Sequence, residues 1–468
     1  MDVRETDVVV IGAGPVGENV ADRVVRGGLR AAIVEAELVG GECSYWACMP
    51  SKALLRPGAA LRAAQRVAGV TGGALDPEAV LARRDRFAAE WDDTGQVRWL
   101  EGAGIELVRG RGSVTGERRV RVAGDDGDVE LRARHAVVIA TGSAPRVPDV
   151  PGLRAANPWT SREATAAQRV PGRLAVLGGG VVAVEVATVF ADLGSTVTLL
   201  SRSPLLRSME PFVGEAVRDA LRERGVEVRE DASPAEVSRG SDGSVAIRLA
   251  DDADAVIADE LVVATGREPR IRDIGIDDAV GDDDSVDVDD TMRVRGSEWL
   301  YVVGDAAARA PLTHQGKYEA RAAGDAIVAR ARGERLDGER WARHVATADH
   351  GAVPQVVFTD PEAASVGLTA AEAAQRGLRA RAVDYDLGAV AGAGLLADGY
   401  AGHVRAVVDE DRGVLVGMTL VGPGVGELLH AATIAIVGEV PLARLWHAVP
   451  AYPTLSEFWL RLLEEYGL

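Results

Sequence analysis

Apolar and polar positions change period several times along this chain. Residues 7–11, DVVVI, form a short unbroken apolar run, as a strand buried on both faces requires. GAGPVG follows at 12–17, and an amphipathic helical pattern runs from about 17 to 27. A second apolar run, AAIVE, ends at Glu35. Strand, glycine turn, helix and strand make the opening of a βαβ unit. The same order returns at 174–201: LAVLGGGVVA, a helical pattern to about 193, then TVTLL ending near Ser201. Two such units predict either two dinucleotide sites or one duplicated fold with a silent copy. Strand-like runs with glycine exits also lie at 136–142 (AVVIATG), 261–266 (LVVATG) and 301–305 (YVVGD). The Ala-rich stretch 58–105 is predicted to be helical, and the Asp-rich segments at 250–255 and 281–290 to be turns between short strands. From about 341 the pattern becomes α+β. VPQVVFT, HVRAVVD and GVLVGMTLVG read as strands, and 369–376 and 425–438 as helices.

A chain of 468 residues exceeds one hydrophobic core, since domains of about 100–200 residues are usual. Its net charge of −19 argues against nucleic acid or an anionic membrane as the main partner. The longest apolar stretch, 174–193, is interrupted by three glycines, Glu185 and Asp192, so it reads as strand, turn and helix and not as a span. The first residues run directly into a strand without the features of a secretory signal, and a cytoplasmic location is expected. Only Lys52 and Lys317 are lysines among 52 basic residues. A position that tolerates any cation would be Arg in such a chain, so each lysine carries extra weight.

Gly12, Gly14 and Gly17 fit G-x-G-x-x-G between a strand and a helix. The spacing allows a tight turn, close approach to a pyrophosphate and close helix packing, with the helix N-terminus facing the anion. Glu35, 18 residues past Gly17, stands where a carboxylate accepts hydrogen bonds from ribose hydroxyls. The second loop has Gly178, Gly180 and Ala183, and the position matching Glu35 is Ser201, followed by Arg202 and soon by Arg207. A carboxylate there would repel a 2′-phosphate, whereas Ser and Arg would bind it, so NADPH is expected, with NADH possible. Solvated arginines in an Arg-rich chain are the other reading.

The two cysteines, Cys43 and Cys48, lie within GGECSYWACMPSK at 40–52. So close a pair in a cytoplasmic chain points to redox chemistry or metal binding. No further Cys or nearby His completes a four-ligand set, and no metal is expected. This segment resembles the redox motif of the flavoprotein disulfide reductases, the class I pyridine nucleotide-disulfide oxidoreductases. That family includes lipoamide dehydrogenase, glutathione reductase and mercuric reductase. The similarity extends through ATGSAP at 140–145, GGGVVAVE at 178–185, ATGREPR at 264–270, VVGDAA at 302–307, VFTDPEAASVGLT at 357–369 and PTLSE at 453–457.

The resemblance implies an α/β fold of two Rossmann-like dinucleotide-binding domains plus a C-terminal α+β dimerisation domain. It places an FAD domain at 1–150 and 271–340, an NAD(P) domain at 151–270 and the interface domain at 341–468. It implies a homodimer with FAD bound through Gly12, Gly14, Gly17, Glu35, Gly142, Gly304 and Asp305. The nicotinamide nucleotide would use Gly178, Gly180, Ser201, Arg202, Arg207 and Gly266. Cys48 would be the thiolate nearer the flavin and Cys43 the interchange thiol. Lys52, paired with Glu185, would be the lysine near the flavin. His314, in PLTHQG, is more similar to the lipoamide dehydrogenase branch than to glutathione reductase.

Three departures stand out. Glu42 precedes the first cysteine where Thr is usual, and Trp46 lies inside the loop. The family's His-Pro-Thr-x-x-Glu dyad reads Tyr452-Pro453-Thr454-Leu455-Ser456-Glu457, so the acid remains and the base is gone. His447 is five residues too early to replace it. Mercuric reductase resembles the chain in having Tyr there but adds a C-terminal cysteine pair, and this sequence ends EEYGL. Disulfide exchange needs a base for the attacking thiol and an acid for the leaving one. Histidine, pKa ~6.5, does both near neutrality, and tyrosine, pKa ~10, is a poor base. The expected function is therefore an NAD(P)H oxidoreductase passing electrons through flavin and the cysteine pair to a small-molecule acceptor such as a quinone or electrophile. An orthodox lipoamide dehydrogenase-like reductase and a non-catalytic flavin-bound redox sensor or complex subunit are the alternatives.

Overall fold

The computed structural model describes residues 2–125, 127–250, 255–282 and 285–468. Residues 251–254 and 283–284, parts of the two expected Asp-rich turns, lie outside that description. In the described part of the second, Val286 and Val288 form isolated antiparallel bridges with Val280 and Val294.

The chain divides into two compact units. The first comprises 1–50, 85–144 and 267–350. Its sheet is built on strand Asp2–Ile11, which pairs in parallel with Ala31–Glu35 on one side and Val129–Ile139 on the other. Glu106–Arg109 extends the parallel set beyond Ala31–Glu35, and Leu300–Val302 adds to Val129–Ile139. Two antiparallel strands, Arg111–Gly116 and Arg119–Ala123, complete the sheet. The apolar run is fully buried at Val8, Val9 and Val10, as parallel strands covered on both faces must be. The strand starts earlier than its apolar run: polar Asp2–Thr6 pairs with Val129–Ala133 and leaves four side chains exposed.

Helix Pro15–Arg26 begins with proline at its first turn, carries Glu18 there and ends with Arg23 and Arg26, which suits the helix dipole. It packs along helix Thr313–Ala331, and Arg23 reaches the carboxylate of Asp325 on that helix at 2.5 Å.

The second unit comprises 51–84, 145–266 and 351–468. Its parallel sheet runs in the order Glu227–Arg229, Thr196–Leu200, Arg173–Leu177, Glu260–Val263, with helix Val181–Asp192 following the central strand. An antiparallel sheet of Pro234–Arg239, Val245–Leu249 and Val256–Ala258 accompanies it. The C-terminal segment forms an antiparallel sheet in the order Pro354–Val357, Glu362–Gly367, Val414–Gly422, His403–Asp409, Ala380–Asp386. Among the described residues no helix is long and apolar enough to cross a membrane.

The stretch 58–105 is helical only in parts: Cys48–Gln65, Pro77–Phe87 and Thr94–Ala103. Aspartates set two of the starts. Asp76 Oδ1 accepts from the Glu78 and Ala79 N–H groups at 3.0 and 3.2 Å, and Asp92 Oδ1 from Thr94 N–H at 2.8 Å. Within the second unit, Arg62 pins the later turns of helix Cys48–Gln65 through Asp192 and Asp360, each at 2.5 Å.

Candidate active site

In the first unit the glycine loop closes under helix Pro15–Arg26. Gly12 has φ +105°, and a Cβ there would collide with the Ala140 carbonyl. A Cβ on Gly17 would collide with the Gly12 carbonyl, so both positions require glycine. Gly14 caps the helix with no side-chain hydrogen bond, which leaves the first N–H groups directed at an incoming anion. Glu35 Oε2 accepts the Ala13 N–H at 2.8 Å and Oε1 the Glu37 N–H at 2.8 Å. The carboxylate is thereby fixed at the strand end beside the loop, with lone pairs left for ribose hydroxyls.

Gly304 opens the short helix Gly304–Ala307, which carries Asp305. Asp305 Oδ2 accepts from Ser143 Oγ at 2.5 Å, and Ser143 Oγ also accepts from Arg267 Nε at 2.7 Å. A Cβ at the neighbouring Gly142 would meet nothing within 4 Å, so this edge of the site is open. An anion-ready helix end, a fixed ribose acid and a second anchored carboxylate are a donor and acceptor set that fits FAD.

Cys43 lies in the short helix Gly41–Tyr45, and Cys48 opens helix Cys48–Gln65. Both are half-buried and not joined to each other by a disulfide. Cys48 Sγ is 3.2 Å from Thr313 Oγ1. Hydrogen bonding to Cys48, burial and negative charge on Cys48 all push the Cys43 thiol up, against the Thr313 hydroxyl and the Cys48 backbone N–H, which pull it down. The Cys43 thiol is thus held well above its usual range. Thr313 thus serves both sulfurs. Its neighbour His314 is exposed. Glu42 lies 3.5 Å from Arg270, so the residue that replaces the usual threonine is paired with a cation.

In the second unit Gly178 and Gly180 repeat the loop, with Gly180 capping helix Val181–Asp192. Gly266 has φ +119° and open space where a Cβ would stand. Ser201 is 2% exposed and donates to the Ser203 carbonyl at 2.6 Å, so its hydroxyl is engaged within its own loop. Arg202 and Arg207 are exposed. Lys52 Nζ donates to Glu185 Oε2 at 2.7 Å, and Glu185 Oε1 accepts the Phe358 N–H at 3.0 Å. The buried carboxylate is therefore fully engaged, as a buried charge requires. Lys52 also stands 4.9 Å from the Phe358 ring centroid.

Tyr452 is 76% exposed. Glu457, in the same segment, is 9% exposed, and its Oε2 has no hydrogen-bond partner among the described residues. His447 is exposed just beyond helix Leu442–Leu445. Among the described residues no group of three or more His, Cys, Asp or Glu could hold a metal ion.

Sequence reading missed Thr313, Ser143, Arg267 and Phe358 as partners. All four lie inside motifs that carry the resemblance or stand beside it, but only the fold shows what their polar groups meet.

A dinucleotide cradle beside a cysteine pair, with a second dinucleotide loop elsewhere in the chain, defines a nucleotide-linked thiol oxidoreductase. Residues 6–326 match the pyridine nucleotide-disulphide oxidoreductases and residues 353–462 their dimerisation domain, so the chain belongs to that family, whose members use FAD with NAD(P)H. It is 33% identical to the mercuric reductase of Shigella flexneri over 464 residues, 96% of this chain and 79% of that protein. It is 33% identical to the dihydrolipoyl dehydrogenase of Haloferax volcanii over 466 residues, 97% of this chain and 94% of that protein. The Cu(II) complex of RclA, an HOCl-induced flavoprotein disulfide reductase of Escherichia coli, has a TM-score of 0.84. It is 22% identical, covers 98% of this chain and 99% of its own, and shares the fold.

Proposed function

We propose that this enzyme passes electrons from NAD(P)H through flavin and the Cys43–Cys48 pair to a small-molecule acceptor other than an ordinary disulfide, such as a quinone or an electrophile. The observation that carries this reading is Glu457, a buried acid whose Oε2 has no donor, in a frame where Tyr452 replaces the histidine it would orient. FAD, when bound, supplies hydride acceptance from the nicotinamide and delivery of an electron pair to the disulfide. Gly12, Gly14, Gly17, Glu35, Gly142, Gly304 and Asp305 hold it. Cys48 is the thiolate on the flavin side. Cys43, whose thiol is pushed up by its hydrogen bond to Cys48 and by burial, is the thiol that meets the acceptor. Lys52, neutralised by Glu185, takes the role of the cation near the flavin. The homodimer gives the exposed Tyr452 segment, with Val449 at 84% exposure, a surface to meet on the second copy.

The test is a panel of acceptors on the purified yellow enzyme: a quinone, lipoamide, glutathione disulfide and Hg(II), the substrate in the relatives' name. Quinone turnover well above that of either disulfide is expected. Lipoamide turnover as fast as quinone turnover would replace this reading with a lipoamide dehydrogenase-like one. Stoichiometric reduction without turnover on any acceptor would make the protein a redox sensor.

NADPH is the proposed donor. With Ser201 turned into its own loop, the preference falls on Arg202 and Arg207, both exposed in the loop that follows strand Thr196–Leu200. A charge-assisted contact to a 2′-phosphate is worth about 1.5–3 kcal/mol, and every ~1.4 kcal/mol is tenfold. Arg202→Ala should therefore lower kcat/KM for NADPH about tenfold and change that for NADH little. A wild type that favours NADH several-fold would overturn this assignment.

A further inference from the structure

Beneath the Gly304–Asp305 segment lie two carboxyl groups that the reaction does not use. Glu319, within helix Thr313–Ala331, is 0% exposed, and its Oε2 accepts the Gly304 N–H at 2.6 Å. Its Oε1 is buried and has no hydrogen-bond donor among the described residues. Asp349, in the short turn Thr347–His350, is its counterpart. Asp349 Oδ1 accepts from Gln315 Nε2 at 2.6 Å, and its buried Oδ2 also lacks a donor. Each acid acts on the other: after burial, the charge on Asp349 is what pushes the Glu319 carboxyl up. Two neighbouring ionised carboxylates out of water repel strongly, and each orphaned oxygen adds a desolvation cost. One proton placed between them satisfies both oxygens.

We propose that Glu319 and Asp349 share a single proton and that this pair is the positioning element for the Gly304–Asp305 segment that holds FAD. The inference rests on the reading of that segment as part of the flavin site.

The surrounding charges do not remove the need for the proton. Glu319 faces Asp349, Arg309 and Asp305, and Asp349 faces Arg309 and His350. Arg309 is 3.8 Å from Asp349 Oδ2 but 3.2 Å from Asp290, which also takes His350 at 2.8 Å. One guanidinium thus divides itself between two acids, and Asp290 claims the histidine. Burial first, then the charge on Asp349, pushes Glu319 up to about 8, and burial pushes Asp349 up as well. The sign follows. A carboxyl raised from 4.5 keeps in the folded chain a proton that the unfolded chain gives up, so the stabilisation weakens as pH rises from that value toward 8. Once the proton leaves, repulsion drives Glu319 and Asp349 apart, and the Gly304 N–H loses its acceptor beside Asp305.

The holoenzyme tests this through FAD retention, read by flavin absorbance and fluorescence after ultrafiltration between pH 6 and pH 9.5. The wild-type dissociation constant for FAD should rise with pH above 8, by up to about tenfold per unit for loss of one linked proton. Glu319→Gln offers an oxygen to Gly304 and an N–H to Asp349 with no proton to lose, so its profile should be flat. Asp349→Asn should be flat as well. A Glu319→Gln profile that follows the wild-type curve overturns the proposal. Infrared spectra of the wild type supply a measurement that needs no variant: a protonated-carboxyl band present at pH 7 and lost near pH 8–9. Its absence at pH 7 also overturns the shared proton. A chain that shows this band but binds no FAD at any pH would sink the flavin reading and leave the proton-sharing pair standing.

Discussion

Cys43→Ser is expected to show long-wavelength absorbance in the oxidised holoenzyme without any reductant, and Cys48→Ser to show none even with excess NADPH. The reason lies in which sulfur holds the charge. Cys43 is driven up chiefly by its hydrogen bond to Cys48, by burial and by the charge on Cys48, and the proposed roles put the thiolate at Cys48. Removing Cys43 deletes the disulfide and leaves a serine hydroxyl able to donate to the Cys48 thiolate, while Thr313 Oγ1 remains 3.2 Å from that sulfur. Cys48 is then a permanent thiolate beside an oxidised flavin, and the pair absorbs at long wavelength. Either substitution should also lower turnover of thiol-dependent acceptors by ~10³-fold or more, the scale of deleting a nucleophile that works as part of a unit. Absorbance that is retained in Cys48→Ser and lost in Cys43→Ser would exchange the two roles. Thr313→Val keeps the shape of its side chain and removes only the hydroxyl, so a smaller band in that variant would separate its contribution from the charge on Cys48.

The chemistry-bearing loops were legible because they depend on local grammar. Val8–Ile11 and Ala31–Val34 are buried throughout, and a parallel strand so covered has to read as an apolar run. Strands that face water on one side left a fainter trace. Arg119–Ala123 alternates polar and apolar residues over only five positions, and Ala380–Asp386 exposes most of its side chains, so neither stood out. The long helical stretch broke at Asp76 and Asp92, whose side chains accept N–H groups from the first turns of new helices. Tertiary partners were illegible in principle. Thr313 meets Cys48 across 265 positions, and Lys52 meets Glu185 across 133, yet only the second pair was foreseen. It was foreseen because the resemblance assigns Lys52 and Glu185 to each other, whereas nothing in the motifs that hold Thr313 and Cys48 names them as partners. Glu319 and Asp349 sit in none of the motifs that carried the resemblance. Ser201 shows the opposite limit: its position followed from spacing, but its hydroxyl turns to Ser203, a direction no spacing encodes.

The second large effect is expected at Tyr452. The wild type should reduce lipoamide and glutathione disulfide poorly, and Tyr452→His should raise that turnover by ~10²-fold or more, the usual scale of a general base. Glu457 has the requirements of an orienting acid: it is buried, it sits in the turn Leu455–Glu457, and its Oε2 has no partner among the described residues. A ring N–H donated to that oxygen would fix the imidazole and raise its basicity, as a carboxylate does for histidine in hydrolytic triads. A phenol with pKa ~10 accepts a thiol proton poorly near neutrality, so the present residue is no substitute for that base, and Glu457 is left with Arg461 at 4.0 Å from its Oε1. Electron transfer to a quinone asks for no thiol deprotonation at this position, and Tyr452→Phe should leave it within about twofold. If Phe instead lowers quinone turnover sharply, the phenol donates a proton or hydrogen bond to the bound acceptor and belongs to the reaction itself. If the wild type turns over lipoamide as fast as the quinone, and Tyr452→Phe does not change that rate, a histidine at this position is dispensable for disulfide exchange. The acceptor would then have to be chosen on other grounds than the identity of residue 452.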